Sequence, residues 1–216
     1  MQYFLLTDLR IHVFPVTAES LLFTFLPYHK EPLYARLLQI VSLLPKFAFL
    51  GQYADIKAAS NLPPVPRQLF VRAMSRDSVF LESYSEFVVS RVKNGFGYSI
   101  MITTWVGLLV ETISQMRQSR VGEEVIVSRI MPFIAQGLQM KQSSDFQIAC
   151  YMVLTVLASK GTLTDTVMNA AMDAIVQGWT DESRQMAIMC LVTLAQQREG
   201  DSVLTPTVIK TLLSVK

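Results

Sequence analysis

The sequence predicts an all-α chain, an α-solenoid of stacked helical hairpins, on three observations. Apolar residues recur at helical spacing, turn-forming residues are few, and the last two helix pairs repeat one another. Hydrophobic residues make up 51% of the 216 and charged residues 17%, enough apolar surface to offset chain entropy and too much for a disordered tail. Nine glycines and nine prolines are too few for the frequent turns of a sheet sandwich. The expected organisation is a single solenoid fragment over 1–216, with irregular N-terminal helices and a proline-rich loop over 1–94 and three helix-pair repeats over 95–216.

In the segment opening at Pro32, residues Leu33, Leu37, Ile40, Val41 and Leu44 fall on one face of a 3.6-residue helix. Pro32 suits the first turn, where its missing N–H leaves nothing unpaired. Next comes the least regular stretch, with Pro45, the aromatics Phe47, Phe49 and Tyr53, and then Asn61-Leu62-Pro63-Pro64-Val65-Pro66. Prolines at that density break a helix, so a loop or extended linker is expected there. Its aromatics either pin it to the core or dock a partner. A second stripe, Phe80, Tyr84, Phe87, Val88 and Arg91, stops at Asn94-Gly95, where glycine can take the left-handed conformation that closes a helix.

From Tyr98 onward the pattern is helix, short turn, helix: Tyr98 to Arg117, Val121 to Met140, Asp145 to Lys160, Asp165 to Gly178, Asp181 to Arg198, and Pro206 to the end. Ser144, Thr164, Thr180 and Thr205 are the expected N-caps, each with a hydroxyl that can accept an orphan backbone N–H. Asp145, Asp165 and Asp181 follow caps directly, at the positive end of the helix dipole. Aligned at an offset of 37 residues, Leu154-Thr155-Val156-Leu157-Ala158 falls on Leu191-Val192-Thr193-Leu194-Ala195, and Val167, Ile175 and Val176 fall on Leu204, Leu212 and Leu213. A weaker unit, Tyr98 to Met140, starts roughly 46 residues earlier. Periods near ~40 residues with two helices per unit point to HEAT or armadillo-like stacking, in which each hairpin buries its apolar stripe against its neighbours. Apolar residues at both ends, Tyr3, Phe4, Leu5 and Leu6, then Leu212, Leu213 and Val215, lead to the expectation of a piece of a longer protein, or one continued by a partner.

Net charge is +2, with Lys and Arg scattered singly and no run that would mark a nucleic-acid arm. Arg117 and Arg120 read as an ordinary solvated loop, with phosphate contact the minor alternative. Cys150 and Cys190 lie in apolar helices without metal or redox spacing, so buried reduced thiols are expected. Asp8, Arg10 and His12 interrupt the stretch where a signal peptide would need its apolar core, and a reducing compartment is expected. The run Tyr98 to Val110 is far short of the ~20 residues that span a bilayer and reads as a buried helix.

Chemistry is sparse. Nucleophile-elbow, phosphate-loop and zinc-protease motifs are missing from the sequence, and Gly95-Phe96-Gly97 reads as a turn between helices. His12 and His29 stand far apart, without Cys or carboxylate partners at ligand spacing, and read as capping or loop residues. Glu123-Glu124 and Asp181-Glu182 sit at helix starts, where the dipole accounts for them. Met168, Met172, Met186 and Met189 read as gap-filling core, with an adaptable binding face the alternative. No catalytic, cofactor-binding or metal-binding residue is assigned, and the protein-binding residues stay unknown.

Read as strings, Arg10-Ile11-His12, Leu21-Leu22-Phe23-Thr24-Phe25-Leu26-Pro27-Tyr28-His29, Cys150-Tyr151-Met152-Val153-Leu154-Thr155-Val156-Leu157-Ala158-Ser159-Lys160, Gly178-Trp179-Thr180-Asp181-Glu182 and Leu194-Ala195-Gln196-Gln197-Arg198 resemble a known family. The chain is similar to the N-terminal region of the U3 small nucleolar RNA-associated protein 10 family (HEAT repeat-containing protein 1 family), very large HEAT-repeat proteins of the small-subunit processome. The resemblance spans nearly the whole chain and keeps the order of its strings. It implies a nuclear, nucleolar scaffold subunit of the U3 snoRNP, in the t-UTP/UTP-A subcomplex, acting in pre-18S rRNA processing, ribosome biogenesis and rDNA transcription. It further implies WD-repeat protein partners, an indirect link to the pre-rRNA 5' region, no membrane, no cofactor, no small-molecule substrate and no enzyme activity. Two alternatives stay open: a generic HEAT-repeat adaptor gripping peptides in transport or trafficking, and direct RNA binding.

Overall fold

Proline in first position starts both helices that open the described part of the chain. The computed structural model describes residues 15–41, 43–56, 62–115, 120–160, 163–198 and 203–214. Among them lie eleven α-helices and two 3-10 turns, with no strand: the fold is all-α. They group into two compact units, residues 1–87 and 88–216.

The first unit contains α1 (Pro15–Phe25), a 3-10 turn (Leu26–Tyr28), α2 (Pro32–Ile40), a second 3-10 turn (Pro45–Leu50), α3 (Gly51–Ala54), α4 (Arg67–Arg76) and the beginning of α5 (Ser78–Lys93). Its core is aromatic. The Phe23 ring lies 5.2 Å from both Phe47 and Tyr84, and Phe49 meets Phe70 and Phe80 edge-on at 5.8 and 5.1 Å. Such tilted and edge-to-face pairs add stabilisation beyond the area they bury. Phe47, Phe49 and Tyr53 therefore pin their segment to the core, and they do so from a 3-10 turn and a short helix where a loop was expected.

Residues 62–66 form no helix, as expected of prolines at that density, while Asn61 lies outside the described residues. Val65 is fully buried and exchanges two bonds with His29: its N–H donates to the His29 carbonyl at 3.0 Å, and its carbonyl lies 2.7 Å from Nδ1. The α2 stripe needs correction. Leu33 is 61% exposed, and the buried face is Tyr34, Ala35, Leu38 and Val41. Tyr34 packs edge-on to Phe70 at 6.1 Å, so tertiary aromatic contact selects this face over the neighbouring one.

The second unit runs from the end of α5 through α6 (Ser99–Gln115), α7 (Arg120–Leu138), α8 (Ser144–Ser159), α9 (Asp165–Gly178), α10 (Arg184–Gln196) and α11 (Pro206–Ser214). The end of α5 is a Schellman closure: Gly95 has φ +77°, Phe96 N–H donates to Arg91 O and Gly95 N–H to Val92 O. Packing then alternates. Helices α6, α8 and α10 touch in succession, and α9 touches α7 on one side and α11 on the other; α7–α8 and α9–α10 contacts join the two rows. Helix α7 carries Pro132 in its interior at an exposed position, and Ile126, Ile130, Ile134 and Leu138 are buried along it. Burial of four such side chains outweighs the ~3 kcal/mol that an internal proline costs.

The expected caps hold at Thr164 and Thr205, whose hydroxyls accept the N–H of Val167 and Val208 at 3.4 and 3.3 Å. Before α8 the cap is Ser143, not Ser144: Ser143 Oγ accepts Phe146 N–H at 3.4 Å. Thr180 accepts Ser183 N–H at 3.3 Å, but it does so in a turn, and α10 starts only at Arg184. Leu157 and Leu194, the equivalent positions of the 37-residue alignment, are both fully buried.

Candidate partner-docking surface

Helix α10 is apolar nearly all round, so its outward side cannot be solvated by charge. Ala187, Cys190, Leu191 and Leu194 point into the unit, while Met186, Ile188, Met189 and Val192 are exposed, Met189 by 60%. A groove of about 340 Å³ lies on one side of the helix, walled by Met152, Thr155 and Val156 of α8 and by Met186 and Met189 of α10, with Cys190 and Val110 also lining it. A second, of about 270 Å³, lies on the other side between Ile188, Val192, Val203 and Leu212. Apolar residues dominate both linings, and neither includes an ionisable side chain other than Tyr151 and Cys190 of the first. Burial pushes the Cys190 thiol up to about 11, and it raises the Tyr151 phenol and the Cys150 thiol as well. These groups are neutral at physiological pH, and an unreactive, desolvated thiol is no nucleophile.

The methionines expected in the core divide accordingly. Met168 and Met172 are buried in α9, as read from the sequence, whereas Met186 and Met189 face outward. Side chains of this flexible, polarizable kind adapt to irregular partners. The grooves thus combine what a docking surface needs: apolar area to remove from water and no charge to desolvate.

A buried polar clamp positions this surface. The fully buried Gln147 of α8 donates Nε2 to the Gly178 carbonyl at 2.7 Å and to the Leu138 carbonyl at 3.2 Å, the C-terminal ends of α9 and α7. Its Oε1 accepts Ser183 Oγ at 2.8 Å, and Ser183 in turn accepts Thr180 N–H at 3.0 Å. One amide therefore ties two helix ends and the start of α10 together, satisfying carbonyls that a helix leaves orphaned. Close approach makes this possible, since a Cβ on Gly178 would stand 2.0 Å from the Leu138 oxygen, and one on Gly137 would stand 2.2 Å from Cys150 Sγ. Sequence reading missed Gln147, because a glutamine in a helix reads by default as a solvated residue.

The remaining candidates are structural or lie elsewhere. Cys150 and Cys190 are buried and unpaired, as expected. His29 is buried against Val65, and Asp181 pairs with Arg184 at the foot of α10. His12, Arg117 and the side chains of Arg120, Glu123 and Glu124 lie outside the described residues. Among the described residues there is no cluster of His, Cys, Asp and Glu that could hold a metal, and no helix is long and apolar enough to cross a membrane.

A sequence model of the family described as U3 small nucleolar RNA-associated protein 10 matches residues 126–216, a stretch that includes α8 to α11, the whole lining of the second groove and all of the first but Val110. Three relatives bearing that name extend the likeness. The Aspergillus oryzae protein is 31% identical over 218 residues, covering 96% of this chain. The Neurospora crassa protein is 32% identical over 222 residues and 98% of the chain, and the Aspergillus terreus protein 34% identical over 205 residues and 90%. The chain spans only 12%, 12% and 11% of their respective lengths. By these matches the chain belongs to the U3 small nucleolar RNA-associated protein 10 family.

Proposed function

We propose that this chain is the N-terminal, HEAT-like α-solenoid segment of a scaffold subunit of the U3 snoRNP in the small-subunit processome. It serves pre-18S rRNA processing and rDNA transcription in the nucleolus, as part of the t-UTP/UTP-A subcomplex. Its role is to hold proteins in place, with no catalytic step of its own. The solenoid reading is supported by the alternation of two helix rows in the second unit and by the burial of aligned leucines of α8 and α10, whereas in the α9 and α11 half of the alignment Val176 is buried and Leu213 is 82% exposed. Leu154 and Leu191 are both buried, as are Leu157 and Leu194.

The observation that carries the scaffold role is the uncharged, methionine-lined face of α10, flanked by two apolar grooves. Its partners under this reading are WD-repeat proteins of the same subcomplex, which in turn hold the pre-rRNA 5' region. The test is co-purification of the chain with separately expressed WD-repeat subunits. Met189→Glu with Val192→Glu should leave the thermal midpoint unchanged, since both side chains are exposed, and should weaken association at least about tenfold by burying charge at the contact. Equal retention of the double variant would remove the α10 face from the interface.

A further inference from the structure

Accessible sulfur gathers on one surface. Among the described residues three methionines stand exposed, Met152 by 44%, Met186 by 37% and Met189 by 60%, and all three line the larger groove beside α10. Met152 comes from α8, while Met186 and Met189 are neighbours one turn apart on α10. Met74, Met101, Met140, Met168 and Met172 are buried, and Met131 is partly covered. An oxidant that acts on accessible thioethers therefore meets this groove ahead of the core.

A thioether needs no deprotonation to react. Its sulfur lone pair takes one oxygen from hydrogen peroxide, the O–O bond breaks, and the second oxygen leaves as water. The sulfur is oxidised by two electrons to a sulfoxide, and the peroxide is reduced. The thiols do not compete: Cys150 and Cys190 would react as thiolates, and burial disfavours that form at both. The groove also lacks a donor to receive the new oxygen. The Thr155 and Thr193 hydroxyls already donate to the Tyr151 and Met189 carbonyls at 2.8 and 3.1 Å, and the Tyr151 hydroxyl is buried. Water must then solvate the sulfoxide, and an apolar partner surface that removes this water leaves a buried polar group unpaired.

We infer that Met152, Met186 and Met189 form a redox switch on the α10 docking face: peroxide converts them to sulfoxides and turns docking off, and a dithiol-dependent sulfoxide reductase restores it. In the reverse step the sulfoxide oxygen leaves as water while the dithiol becomes a disulfide. The inference rests on the docking reading of α10 and adds its control. Three neighbouring sulfurs change together, so the groove turns from apolar to polar with no change in net charge. Docking covers the sulfurs, so the switch governs entry of the free chain into the assembly and does not dissolve a contact already made.

The test treats the whole chain with hydrogen peroxide, removes the peroxide with catalase, and measures association with separately expressed WD-repeat subunits beside peptide mass spectrometry of each methionine. Expected are sulfoxides at Met152, Met186 and Met189 with Met172 intact, association weakened at least about tenfold, and recovery after sulfoxide reductases for both epimers with dithiothreitol. Met152→Leu/Met186→Leu/Met189→Leu keeps the apolar lining without its sulfur, so it should associate like the parent chain before and after peroxide. Met186→Gln/Met189→Gln should reproduce the loss without any oxidant. Thermal midpoints should stay unchanged, and a midpoint that falls with oxidation places the loss in folding and overturns the switch. Equal association of the oxidised and reduced chains, or equal loss in the peroxide-treated leucine variant, overturns the switch and leaves the docking reading standing. Failure of the reduced chain to associate overturns the docking reading, and the switch with it.

Discussion

At the residue scale, the heaviest demands fall on groups that the sequence shows only as ordinary helix residues. Gln147 makes three bonds from a fully buried amide, two of them to helix-terminal carbonyls. Replacing it with Ala strands those carbonyls and Ser183 and leaves a cavity, so Gln147→Ala should cost about 3 kcal/mol in urea unfolding. A loss below about 0.5 kcal/mol would show that water or neighbouring groups replace the amide without penalty. Cys190 carries a pH prediction. Its folded value of about 11 lies above the ordinary 9.0, so the unfolded chain loses this proton first as pH rises. Its contribution to stability is complete below pH 9.0 and declines towards about 11. Urea midpoints should fall across that window, and Cys190→Ala should lessen the fall; an unchanged alkaline slope in the variant would contradict the burial of the thiol. Gln147 was not legible in the sequence because its partners come from three other places in the chain. The two thiols were legible because each cysteine sits inside an apolar stripe.

At the element scale, sequence and structure agree where local chemistry decides. Asp165–Gly178 and the start at Pro206 are as read, the expected end at Arg117 lies outside the described residues, and the remaining ends of the long helices of the second unit differ from those expected by one to three residues. Caps, dipole-favoured aspartates and a closing glycine are all local signals. Disagreement appears where two readings are locally equivalent. Ser143 and Ser144 can each cap a helix, and backbone placement chooses the first. In α2 the expected stripe Leu33, Leu37, Ile40, Val41 and Leu44 shares only Val41 with the buried set Tyr34, Ala35, Leu38 and Val41, and the contact of Tyr34 with Phe70 favours the second. The repeat alignment gives the element-scale prediction: Leu157→Ala in α8 and Leu194→Ala in α10 should each cost about 2–5 kcal/mol, because the two side chains fill equivalent buried positions. Chemical denaturation of the two variants checks it, and a cost near zero at either position would break the equivalence.

At the scale of the whole molecule, the apolar surface of α10 was the least legible feature. Helical spacing of Met186 and Met189 fits a core stripe as well as an exposed one, and the distinction depends on whether another helix covers them. In this structure none of the described residues does so, and the methionines line an open groove. The scaffold reading turns that groove into a contact, and its consequence can be read without altering any side chain. Hydroxyl-radical oxidation followed by mass spectrometry reports the solvent access of each methionine, in the free chain and in the purified subcomplex. The account predicts that Met186 and Met189 are readily oxidised in the free chain and strongly protected in the assembly, with Met172 unreactive in both. Equal oxidation of Met189 in the free and assembled states would contradict it.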